Sequence, residues 1–319
     1  MKLAFVVDPI SELEPNHDST IAMIEAAQDL GHEVWVTKIN KLSIIEGKAW
    51  ARMSRIEVDL TFFREKQKPK NISWYEISSQ RLVCLDDMNV VFMRKDPPVN
   101  IRYLYATYIL DLINPINTLV LNSPRGLREA NEKIYALQFH QFMPPTIVGK
   151  DKEIIHDFVH TYKTAVLKPL GGKAGEGILI LNLQDPNLNS IIEISTHQGQ
   201  EPVMIQQFLP EAKYGDKRVI LLNGNPIGAV NRVPTGQEFR GNMAVGGRVE
   251  KAEISLQEHN MCKVLGKKLR QDGLYFVGID IIGSYLTEIN VTSPTGIREI
   301  DSLDQKNLGQ EVIKWVTSQ

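Results

Sequence analysis

Residues 277–300 read VGIDIIGSYLTEINVTSPTGIREI. Two apolar runs, Leu274 to Ile282 and Tyr285 to Val291, flank Gly283-Ser284, the composition of two strands joined by a short turn. Asp280 stands out there, because Phe276, Val277, Ile279, Ile281 and Ile282 are apolar and aspartate is depleted from strand interiors. Glu288 and Asn290 would suit a solvated hairpin face equally well; Asp280 suits one poorly. Two carboxylates and an amide oxygen are the hard donors that Mg²⁺ prefers, so Asp280, Glu288 and Asn290 read as a metal site. Side chains alternate across a strand, so the three share a face only if the turn has an odd number of residues. A two-residue turn at Gly283-Ser284 would put Asp280 on the other side. The metal reading therefore predicts a turn of three or five residues.

Upstream, strand and helix signals alternate. Leu3 to Val7 reads as a buried strand closed by Asp8-Pro9, and Asp18-Ser19-Thr20 opens an amphipathic segment that Gly31 stops. Val34 to Thr37, Val90 to Met93 and Thr118 to Leu121 read as further strands, with a helix over Tyr103 to Leu112. This alternation predicts an open parallel α/β sheet. Residues 39–89 are less regular and read only as strands and loops. A boundary near Asn122 precedes a predicted helix from Glu129 to Phe142, stopped by Pro144-Pro145. A helix is also predicted over Ile254 to Leu269.

Bulk composition narrows the function. At 319 residues the chain exceeds what one core supports, so two or three domains are expected. Lys and Arg total 36 against 38 Asp and Glu, a balance that argues against a nucleic-acid or membrane-surface protein. Cys84 and Cys262 are too few and too far apart for a disulfide framework or a cysteine zinc site, which fits a reducing, cytoplasmic compartment. The first apolar run is too short for a signal peptide, and no stretch approaches the ~20 residues of a membrane helix.

Lys168 ends a predicted strand and runs into the glycine-rich stretch 171–177, where close backbone approach and an ammonium would suit phosphate. No GxxxxGK[ST] occurs there, and Asp8-Pro9-Ile10 is not a GxGxxG. Gln206-Gln207-Phe208-Leu209 ends another strand, where backbone groups could read an adenine edge. Asp216 could accept from a ribose hydroxyl. Lys133 stands on the predicted helix, where a lone lysine is usually only solvated. Each of these taken singly has a commonplace structural explanation.

Together they resemble a known family. LAFVVDPI (3–10), VVFMRKDPP (90–98), YATYIL (105–110), NEK (131–133), VLKPLGG (166–172), GDKRV (215–219), RGN (240–242), GGR (246–248) and the stretch at 277–300 are similar, in order and over nearly the whole chain, to the bacterial glutathione synthetases among the ATP-grasp ligases. The resemblance implies an α/β ATP-grasp fold, α+β in its ATP-binding part, with an N-terminal parallel-sheet Rossmann-like domain. It implies an N-terminal substrate domain over 1–121, a central ATP-grasp lid domain over 122–202 and a C-terminal ATP-grasp domain over 203–319, with a mobile loop at 233–248. The implied reaction joins glycine to γ-glutamylcysteine through an acyl phosphate, giving glutathione, ADP and phosphate. Another ATP-grasp carboxylate–amine ligase with different substrates is the alternative, opposed by the N-terminal LAFVVDPI and RKDPP.

The roles implied fall on matching positions. Lys133, Lys168, Gly171, Gly172 and Gly175 would meet ATP phosphates, residues Gln206, Gln207, Phe208 and Leu209 the adenine, and Asp216 the ribose. Asp280, Glu288 and Asn290 would hold Mg²⁺, with Mn²⁺ as an alternative ion. Arg218, Arg232 and Arg240 would act at the reacting carboxylate. Arg94, Lys95, Ser293 and Thr295 would bind the dipeptide. A homotetramer is implied as well. The sequence departs from the family where Gly171 replaces a common Asp and Ala174 a common Gly.

Overall fold

The computed structural model describes residues 1–64, 73–172, 175–235 and 247–319. Its first sheet has a parallel centre, in the order Glu33–Thr37, Lys2–Val6, Val90–Met93 and Leu119–Leu121. Lys48–Val58 continues it antiparallel beside Glu33–Thr37. This long strand, with the short ones at Leu42–Ile45, Tyr75–Ile77 and Arg81–Cys84 that pair with it, gives form to the irregular stretch at 39–89. The helix after the first strand, Ser19–Asp29, begins where the sequence signals it: Asp18 accepts from the Thr20 and Ile21 N–H groups at 2.6 and 3.2 Å.

Two antiparallel sheets make the rest. One orders Leu179–Asn182, Thr164–Pro169, Val203–Gln207 and Thr146–Gly149. A division after residue 202 thus falls one residue before a strand of this central sheet. The other orders Arg248–Lys251, Asn225–Val233, Asp216–Leu222, Phe276–Ile282 and Tyr285–Asn290.

The cores of the first and third sheets join, while the second sheet keeps a cluster of its own around Ile155, Leu167 and Ile205. Leu3, Phe5 and Ile21 of the first sheet and its helix share one buried cluster with Ile220, Phe276, Leu308, Val312 and Val316. The helix Leu308–Thr317 lies against Ser19–Asp29, so closely that a Cβ on Gly309 would stand 2.7 Å from the Ala22 carbonyl oxygen. Asn122, buried after the last parallel strand, fastens the first sheet to the third. Its Nδ2 donates to the Phe276 and Val291 carbonyls, both at 2.8 Å, and its Oδ1 accepts from the Tyr275 and Phe276 N–H groups at 2.8 and 2.9 Å.

Two predictions need correction. No single helix runs from Glu129 to Phe142. A helix over Pro124–Glu129 ends, a turn follows, and a 3₁₀ stretch over Tyr135–Phe142 is itself kinked at Phe139. Asn131 explains the break: its Oδ1 accepts from the Lys133 and Ile134 N–H groups at 3.2 and 3.1 Å, a side-chain alternative to the helical ladder. The second concerns the hairpin. Its turn has two residues, since Ile282 pairs with Tyr285, yet Asp280 pairs with Glu288. A bulge supplies the odd residue. Thr287 is the extra position, and its hydroxyl donates back to the Asp280 carbonyl at 3.2 Å.

Candidate active site

The bulge returns Glu288 to Asp280's face, and Asn290, opposite Gly278, shares it. All three line a cavity of ≈ 260 Å³ between the second and third sheets. Gly278 leaves room beside them, since a Cβ there would stand 3.0 Å from Arg218 Cδ and from Pro294 Cβ.

Charge is densely paired here. Arg218 donates from Nε to Asp280 Oδ1 and from Nη2 to Oδ2, the latter at 2.9 Å. Arg232 Nη2 lies 3.0 Å from Asp280 Oδ1 and 2.6 Å from Asp216 Oδ2. Burial works against the Asp280 charge, but Arg218 and Arg232 outweigh it and hold its carboxyl below the usual carboxylate range. Burial raises the Asp216 carboxyl, and Arg232 only partly offsets it. Asp216 Oδ1 is buried without a partner among the described residues, an acceptor open to a ligand hydroxyl.

Two lysines stand on the same cavity wall. Lys133 Nζ lies 3.1 Å from Glu288 Oε1 and donates to the Gly172 carbonyl at 3.3 Å. Lys168 Nζ donates to Gln206 Oε1 at 2.8 Å, and burial lowers its pKa. Gly172 is packed so tightly that a Cβ would meet the Glu176 carbonyl oxygen at 2.9 Å.

The structure thus brings Lys133, Lys168, Gly172, Gly175, Gln206, Gln207, Phe208 and Leu209 to one cavity with Asp216, Arg218 and Arg232. The metal set, Ser293 and Thr295 share it. Gly171, Arg94 and Lys95 are not on its wall. Arg94 is buried behind Pro294, and Lys95 Nζ is 2.9 Å from Asp8 Oδ1. Arg240 and most of the 233–248 loop lie outside the described residues. Sequence reading missed Asp96, Glu132 and Thr292 on the wall. Glu132 accepts from the Val291 and Thr292 N–H groups at 2.8 and 3.0 Å and from the Thr292 hydroxyl at 2.9 Å. Burial, then Glu288, raises its carboxyl. Its place between the two matched residues of NEK was the available signal.

Among the described residues no three His, Cys, Asp or Glu side chains gather into a metal cage. Two carboxylates and an amide on one cavity wall nevertheless fit Mg²⁺, which is commonly held by one or two carboxylates and completed by phosphate oxygens and water.

Sheets of this order define a class. Solved structures described as the ATP-grasp ligase PsnB complexed with minimal precursor, Mg and ADP, and as the macrocyclase MdnC bound with precursor peptide MdnA from Microcystis aeruginosa MRC, superpose with TM-scores of 0.62 and 0.64. They cover 99% and 100% of this chain, and it covers 97% and 100% of theirs, at only 16% and 14% identity. The fold is that of the ATP-grasp ligases. The family models for the prokaryotic glutathione synthetase N-terminal domain and ATP-grasp domain match residues 1–128 and 132–305. Glutathione synthetases of Synechocystis sp. and Thermosynechococcus vestitus are 57% and 58% identical, each over 100% of both chains. The chain belongs to the prokaryotic glutathione synthetase family.

Proposed function

We infer that the cavity joins glycine to the cysteinyl carboxylate of γ-glutamylcysteine at the expense of ATP. The observation that carries this reading is the meeting of Asp280, Glu288 and Asn290 with Lys133, Lys168, Arg218 and Arg232 in one cavity, within a chain of this family. Residues Gln206 to Leu209 lie at the end of a strand, where backbone groups suit an adenine edge. Asp216 Oδ1 suits a ribose hydroxyl, and Lys133 and Lys168 suit the phosphates. Asp280, Glu288 and Asn290 would hold Mg²⁺, or Mn²⁺ in its place, which when bound neutralises phosphate charge.

The γ-phosphoryl group passes to a carboxylate oxygen, releasing ADP. Glycine's amine then attacks the acyl carbon, the C–N bond forms, phosphate leaves and the amine loses its proton. Arg218 and Arg232 stand where a charged tetrahedral centre develops, and fixed cations there act without reorganising. Because the transfer depends on positioning and electrostatics, no covalent enzyme nucleophile is required. Cys84 and Cys262, both buried, stay outside the chemistry.

We further assign the dipeptide to the side lined by Asp96, Thr292, Ser293 and Thr295, and to Arg240 a part in the chemistry at the reacting carboxylate. Three working units, a homotetramer and a cytoplasmic setting complete the reading. Among the described residues no helix is long and apolar enough to cross a membrane. ADP release with ATP, Mg²⁺, γ-glutamylcysteine and glycine, each omitted in turn, tests the reaction. No release from the full mixture rejects it. Light scattering in solution tests the tetramer.

A further inference from the structure

Residues 292–295 form one wall of the cavity, and together with Gly296 they are held from several sides. Glu132 takes the Thr292 N–H and hydroxyl. Arg218 Nη1 donates to the Thr295 carbonyl at 3.2 Å, and Ser19 Oγ accepts from the Gly296 N–H at 3.1 Å. The remaining anchor is Arg94, whose Nη2 donates to the Pro294 carbonyl at 3.0 Å while Ser293 Oγ donates to the Arg94 carbonyl at 3.4 Å.

Arg94 is an expensive choice for such a contact. Its side chain is buried, burial lowers its pKa, and Nη1 has no partner among the described residues. Its orientation is nonetheless fixed at three points. Nε donates to Thr20 Oγ1 at 3.1 Å, Nη2 meets Pro294, and the guanidinium carbon stands 5.4 Å from the Phe276 ring centre. Thr20 belongs to the first helix, Pro294 to the cavity wall and Phe276 to the metal-hairpin strand. A planar donor fork can tie these three together, whereas a lysine's single ammonium cannot reproduce the fork.

We propose that Arg94 is a positioning residue, which sets the Thr292–Thr295 wall against the first domain and so fixes where the dipeptide's carboxylate meets the arginines. It acts through the Pro294 carbonyl and does not itself touch substrate. This rests on the reading that the wall receives the dipeptide.

Two variants test it. Arg94→Lys keeps the charge and loses the fork. Thr20→Val leaves Arg94 in place but removes the acceptor that orients it, without touching the cavity, and serves if Arg94→Lys fails to fold. Amide hydrogen exchange is read on the 291–297 and 276–290 peptides, together with KM for γ-glutamylcysteine and for ATP. The expected result is faster exchange at 291–297 with 276–290 unchanged. KM for the dipeptide rises by about 10-fold or more, since sub-ångström misplacement is costly, while KM for ATP stays within about twofold. Unchanged exchange at 291–297 in both variants overturns the proposal. A raised dipeptide KM in Arg94→Lys alone, with Thr20→Val like wild type, overturns it in favour of direct contact. Faster exchange with an unchanged dipeptide KM keeps the positioning role and rejects instead the assignment of the wall to the dipeptide.

Discussion

Lys133 Nζ stands 3.1 Å from Glu288 Oε1, so the cation assigned above to phosphate and the carboxylate assigned to metal neutralise each other across the cavity. Asp280 is likewise paired, with Arg218 and Arg232. A metal ion arriving alone must displace a cation already in place, whereas ATP phosphates offer Lys133 another partner. Nucleotide and metal binding are therefore expected to reinforce each other. Lys133→Met is predicted to bind Mn²⁺ more tightly than wild type without nucleotide, measured by electron paramagnetic resonance of free Mn²⁺. The same variant should lose on the order of 10²-fold in kcat/KM for ATP. Equal Mn²⁺ affinities in the two nucleotide-free proteins would contradict the coupling.

Glu288→Ala is predicted to abolish ADP release while leaving the fold intact. The Glu288 side chain is partly exposed at the cavity and its backbone stays in the hairpin, so thermal melting should move by only a few degrees. Near wild-type turnover would remove the metal assignment.

How much of this site could be read from the chain is clearest at that hairpin. Asp280 among apolar neighbours singled out the three residues, but the side-chain period of two could unite them only through an odd turn, and the hairpin turn has two residues. The means was not readable. Pairing across Gly283-Ser284 has no sequence signature for a bulge at Thr287, because a bulge is set by how the strand meets its neighbours. The parallel strands of the first sheet were legible as apolar runs, whereas Lys48–Val58 alternates with charged residues and owes its place to pairing with four other strands. Arg94 followed an apolar run at a strand end, where open α/β sheets bind ligands, and its burial behind Pro294 depends on contacts 200 residues away. Lys133 was placed on a helix because local pattern cannot register Asn131 capturing two backbone N–H groups.

Asn122 carries a stability prediction of its own. Asn122→Ala leaves two carbonyls and two N–H groups of the third sheet without their partner. A loss of about 3 kcal/mol or more is expected, read as a lower urea midpoint. A midpoint unchanged from wild type would mean that water replaces the side chain at no cost.

Asp301 predicts a pH dependence. Burial pushes its carboxyl up to about 6, while its Oδ1 accepts from the Leu308 N–H at 2.8 Å. The folded state holds this proton more tightly than the unfolded chain, whose aspartates titrate near 4. The contribution is therefore fully present below about pH 4 and is lost as pH rises through 6. Asp301→Asn keeps an acceptor for Leu308 and removes the titration. It should melt about 1–2 °C higher than wild type at pH 8, with the difference vanishing near pH 4. An advantage at pH 4 instead would reverse the sign and reject the assignment.

The packing of Leu308–Thr317 on Ser19–Asp29 bears on how the protein is made. Translation delivers the first sheet long before the helix that covers it. A nascent chain that has released residues 1–128 still presents Ile21, Ile24 and their neighbours uncovered, and acquires their cover only when residues 308–316 leave the ribosome. The order of synthesis and the order of burial thus run opposite ways. Arrested or prematurely terminated chains should be the species that engage chaperones, whereas a finished chain closes on itself.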